Sequence, residues 1–191
     1  MPSWLEFRLA CRGLYRLALL DRSFLGCFDR SVAGALRSFG LFLPLLPVTL
    51  WQIWIGLNQP VSSIGLFLAA KAVGYAYGWI LFPFVLLLTG QFLDRDSEAP
   101  GCIAIYNWLS VLWAVLQMPS SIADLFGVAQ DVGGLLNLAI FVASLVIEGF
   151  LFVVAMRLVI WQAVALVAID VVIGQFVIWP LSDWLSGLPA T

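Results

Sequence analysis

Apolar residues fill this chain in long unbroken runs, and the polar residues between them fall at wide intervals. About twenty residues of helix cross the ~30 Å hydrocarbon layer of a bilayer, and several runs reach that length. The pattern predicts a first span over 39–57, a second over 64–90 and a third over 102–118. The run from Leu135 to Pro180 has almost no break. As one helix it would be roughly 69 Å long, so it must fold back. Arg157 is the waterside residue near its middle, which predicts spans over 135–155 and 159–180. Pro44 and Pro47 are expected to kink the first span, since each removes a backbone donor. Trp51 and Trp54 read as an interfacial belt at its end, and Asn58–Pro60 as a turn. The segments 91–100 and 119–134 read as loops.

The first 37 residues follow a different rhythm. Arg8, Arg12 and Arg16 stand four apart and occupy a narrow sector of a helix over 4–20. Trp4, Leu5, Phe7, Leu9, Leu14, Leu17 and Leu20 occupy the rest. Such a helix lies in the headgroup layer with its arginines on lipid phosphate, packs on the ends of the bundle, or does both. A short second helix follows within 28–39, capped by Asp29 or Ser31. The expected architecture is all-α: a polytopic bundle of about five spans over 38–180, an amphipathic segment over 1–37 and a short outer tail over 181–191.

Composition agrees with the pattern. Of 191 residues, 63% are hydrophobic and 10% charged, against about 25% charged in soluble domains. Mean hydropathy is +1.05. Six of the eight arginines precede the first span, and the others are Arg95 and Arg157. With the N-terminus in the cytoplasm and the C-terminus outside, every arginine falls on the inner side, as the positive-inside rule requires. A bacterial inner membrane fits the helical spans and a charged N-terminus without a cleavable signal. Anionic lipid is the expected partner of the arginines, and nucleic acid is not. Cys11, Cys27 and Cys102 are scattered, and the chain has no histidine, so neither a disulfide framework nor a metal site is expected.

Three ionisable residues remain inside the spans. Depth along each helix places Lys71 and Asp170 at similar levels and Glu148 about a turn deeper. A lone charge at mid-bilayer costs at least ~2.5–3.5 kcal/mol, so pairing is expected, Lys71 with Asp170 above all. Ala70, Gly74 and Gly78 form a small-residue ridge beside Lys71. Gly174 shares a face with Asp170, and Ala139 and Ala143 offer a similar surface, so close helix packing is expected at all six. Few other intramembrane polar groups accompany the trio. It reads either as a buried polar site that binds or moves a proton, cation or small solute, or as interhelical glue. No catalytic motif, phosphate loop or cofactor-binding pattern is present.

The segments "FDRSVAGALRSF", "GYAYGWILFP" and "IYNW", with the short-turn final hairpin, resemble bacterial Yip1-like membrane proteins. That resemblance implies five spans and a cytoplasmic N-terminus. The eukaryotic relatives act in vesicle traffic with small GTPases, but the signature segment ahead of their first span has no match here, and that function is not carried over. The functional expectation is a non-enzymatic accessory or scaffold subunit that associates with other membrane subunits or with itself. The alternative is a small transporter or channel component using Lys71, Glu148 and Asp170.

Overall fold

A computed structural model describes residues 3–55, 63–126, 130–178 and 180, with the side chains of 124, 130–133 and 177 left aside. Among the described residues the chain is all-α. Helix α1 (Trp4–Ala18) leads through a 3₁₀ turn (Arg22–Cys27) to α2 (Val32–Ser38). A second 3₁₀ turn (Phe39–Leu41) opens α3 (Phe42–Ile55), followed by α4 (Ile64–Phe92), α5 (Ala99–Leu116), α6 (Met118–Leu125), α7 (Gln130–Ala155) and α8 (Ile160–Val172). A π turn (Ile173–Ile178) prolongs α8. Four helical stretches are long and apolar enough to cross a membrane: 32–55, 64–92, 99–123 and 134–155. The fifth expected span is shorter, an apolar helix over 160–176. The expected turn at Asn58–Pro60 and the tail over 181–191 lie outside the described residues.

Capping chemistry fixes the N-terminal elements. The Ser3 hydroxyl accepts from the Glu6 amide at 3.2 Å while Glu6 accepts from the Ser3 amide at 2.8 Å, a reciprocal cap that starts α1. Ser31 starts α2 by accepting from the Gly34 amide at 3.1 Å, and Asp29 accepts from the Ser31 amide at 3.0 Å. Arg37 then ties α1 to α2, pairing with Glu6 at 2.8 Å and with Asp29. These bonds, led by the backbone donors, hold the Glu6 and Asp29 carboxyls below the usual carboxylate range.

Two boundaries differ from the sequence expectation. The third span begins at Ala99 rather than 102, because Pro100 fits the first helical turn, where no amide donor is needed. The segment 119–134 is not an extended loop. Pro119 sits in the first turn of α6, and the Ser120 and Ser121 hydroxyls donate back to the Gln117 carbonyl at 2.9 and 3.1 Å. Helix α3 runs unbroken through Pro47.

Central to the bundle is α5, which touches α1, α2, α3, α4 and α7. At one end the arginine-bearing segments gather. Arg157 reaches Glu98 at 3.5 Å, and a Cβ on Gly101 would press on the Arg30 stem at 2.9 Å. Phe24 meets Phe150 at 6.0 Å between ring centroids. Leu20, Asp94 and Arg157 adopt left-handed backbone (φ 54–56°) just after α1, α4 and α7, turning the chain tightly. Inward from this end lies the densest packing, where Phe82, Leu86, Ile105, Leu109, Leu151 and Phe152 are fully buried.

Candidate functional site

The opposite half of the bundle is built differently. Its centre is a cavity of about 750 Å³ bounded by the later part of α3, the start of α4, the end of α5, α6, the first half of α7 and the end of α8. All three ionisable residues singled out in the spans reach its wall. Lys71, on α4, is buried and has its ammonium 5.7 Å from the Phe67 ring centroid. Glu148, on α7, is 6% exposed. Asp170, on α8, is half-buried.

Within this trio the two acids are neighbours. Their carboxyls lie close enough for each to act on the other. Tyr106, on α5, donates its hydroxyl to Asp170 Oδ1 at 3.0 Å. Helices α7 and α8 pack directly on each other, and beside Glu148 a Cβ on Gly149 would already touch Val167 at 3.8 Å. The acids therefore meet across that seam. Glu148 Oε1 is buried with no hydrogen-bond partner among the described residues.

Sequence reasoning understated the polar company these residues keep. Thr49 and Gln52 come from α3, Gln117, Ser120 and Ser121 from around the α5–α6 junction, Asn137 and Ser144 from α7, and Gln175 from the π turn. A signal was present: Asn137, Ser144 and Glu148 are spaced seven and four apart, which lines them up on one helical face. Tyr106 carried no such mark, since tyrosine is ordinary in an apolar span. The π turn, a rare geometry concentrated at functional sites, begins three residues after Asp170.

The small residues separate into groups. Ala70 and Gly74 are buried on α4, and Gly78 lies against Ile178, whose Cδ1 would be 3.4 Å from an added Cβ. Gly174 lines the cavity with nothing within 4 Å of an added Cβ, so it marks open space rather than close packing. Ala139 and Ala143 are exposed and form no packing face among the described residues. The packing of α7 is carried further along, by Ile147, Leu151, Phe152 and Ala155. On α1, Arg8 and Arg12 are exposed, while Arg16 is half-buried with its guanidinium 4.0 Å from Cys27 Sγ. Ala10, Leu14 and Leu17 turn the opposite face of α1 inward. No family model, curated protein or solved structure matches the chain.

Proposed function

We propose that this chain is a non-enzymatic membrane protein that binds a small polar solute inside its bundle and passes it across the bilayer, as a small transporter or channel component. The observation that carries this reading is the polar cavity walled by Lys71, Tyr106, Glu148 and Asp170. Buried polar groups are costly in a membrane unless they serve a pathway or are fully satisfied, and Glu148 Oε1 is not satisfied by the described residues. A bundle serving only as an accessory or scaffold subunit gains nothing from such a void, so the cavity favours transport over that reading. The arginine end faces the cytoplasm, by the positive-inside rule, in a bacterial inner membrane. Arg8, Arg12 and Arg16 lie toward its anionic headgroups.

Cysteine accessibility tests the proposal. In a background with Cys11, Cys27 and Cys102 replaced by alanine, Ser144→Cys on the cavity wall should react with a membrane-impermeant thiol reagent added outside. Phe126→Cys, at an exposed position of the same end, should also react, and Ser97→Cys at the arginine end should not. A reactive Phe126→Cys beside an inert Ser144→Cys closes the cavity to water and overturns the pathway. Reaction at Ser97→Cys alone inverts the orientation.

A further inference from the structure

Apart from the ionisable trio, the cavity wall carries neutral polar groups whose protons are already committed. The Thr49 hydroxyl lies 3.0 Å from the Leu45 carbonyl, those of Ser120 and Ser121 lie 2.9 and 3.1 Å from the Gln117 carbonyl, and that of Ser144 lies 2.7 Å from the Phe141 carbonyl. A carbonyl oxygen has no proton to give, so each hydroxyl donates its own and has only lone pairs left to offer. Gln52 spends an amide proton on the Ala114 carbonyl at 2.9 Å, and its own oxygen is an acceptor. All of them border the cavity, from α3, α6 and α7. This zone therefore asks for donors from several sides at once, and it asks with uncharged oxygens. Along α7 it lies outward of Glu148, with Ser144 about one turn away. A single cationic centre concentrates its donors at one point, whereas hydroxyls set along a carbon chain spread them. Asn137, Gln117 and Gln175 add amides, which both donate and accept, as a solute hydroxyl does. Trp113 and Phe141 border the same space and offer apolar ring faces to the C–H surface of such a solute. At about 750 Å³ the space falls within the ~300–1,000 Å³ range of organic-ligand sites. Resting on the cavity reading above, we propose that the solute is a small neutral polyol, a sugar alcohol or monosaccharide, whose hydroxyls donate to Thr49, Gln52, Ser121 and Ser144. Such binding requires no particular pairing among Lys71, Glu148 and Asp170, because every oxygen it uses is uncharged.

Protection of a cavity cysteine tests this in the full-length chain purified in detergent. Ile140, an apolar residue of the same wall, becomes the reporter as Ile140→Cys in the background lacking the native cysteines. Its rate of reaction with a water-soluble thiol reagent is followed. Xylitol should slow that rate with saturation and leave Phe126→Cys, at an exposed position of the same end, unchanged. Thr49→Val, Ser121→Ala and Ser144→Ala, each combined with the reporter, should raise the xylitol concentration for half protection about two- to tenfold, the share of one hydrogen bond. Sodium chloride and benzylammonium chloride at the same concentrations should not protect. A reactive Ile140→Cys that xylitol does not protect overturns the polyol site and leaves the cavity reading standing. Protection by either salt but not by xylitol does the same and assigns the space to a cation. Half protection at the same xylitol concentration in all three variants, or equal slowing at Phe126→Cys, overturns the match of solute donors to these oxygens. An inert Ile140→Cys overturns the cavity reading itself, and the polyol site with it.

Discussion

The two halves of the bundle solve opposite problems with the same helices. Near the arginine end, α4, α5 and α7 interlock through Phe82, Leu86, Ile105, Leu109 and Phe152, and the charges sit outside in short-range pairs. In the other half the same three helices separate around a polar void, and from Leu135 to Ala139 the side chains of α7 are exposed. Lipid tails are as apolar as leucine, so helix association in a membrane depends on van der Waals fit and internal hydrogen bonds. The arginine half supplies that fit and anchors the fold. That anchoring allows the cavity half to carry unspent polar groups.

The largest contrast should come from truncating one aromatic in each half. Phe152 is fully buried and packs on Phe82 with ring centroids 5.8 Å apart, so Phe152→Ala should cost about 3–5 kcal/mol. Phe141, on the cavity wall and 43% exposed, should lose well under that. Thermal melts in detergent measure both, and equal losses would erase the distinction between the halves.

Smaller effects probe how each half satisfies its polar groups. The buried Asn107 amide donates to Ser38 Oγ at 2.9 Å, and Ser38→Ala should cost about 1–3 kcal/mol by stranding that donor. Gly34→Ala should fall in a similar range of about 1–3 kcal/mol, since its Cβ would run into the Asp29 backbone carbonyl. In the cavity half, a double-mutant cycle between Glu148→Leu and Asp170→Leu should show a coupling of about 0.5–3 kcal/mol. A second cycle, between Lys71→Leu and Asp170→Leu, measures the pairing expected from depth. No coupling in that second cycle would break that pairing.

The smallest effect is a response to acid. Glu6 and Asp29 are held below the usual carboxylate range, Glu6 first by the Ser3 amide and Asp29 first by the Ser31 amide, with Arg37 adding to both. A depressed folded-state value stabilises above the unfolded value of about 4 and loses that contribution as pH falls through the folded one. Amide exchange in α1 should therefore quicken below about pH 4, while exchange near Phe152 stays slow. Glu6→Gln should remove most of the pH response of α1. Uniform quickening throughout the bundle would mean that the N-terminal tie is not a separate local element.

Run length and charge placement determined the helical class, the membrane setting and the gathering of arginines on one side, because these depend on desolvation along a single helix. The cap at Ser31 and the turn at Arg157 were legible for the same local reason. Lys71, Glu148 and Asp170 stood out in sequence because a charge in an apolar run is conspicuous whatever surrounds it. Their grouping was another matter. That the acids meet each other, that Tyr106 serves Asp170, and that Ala139 and Ala143 are exposed while Gly174 borders a void depend on how α5, α7 and α8 rotate about their axes. In a nearly uniformly apolar helix no face is marked for burial, so rotation is decided by the fit of neighbouring side chains, and only the tertiary structure could set it.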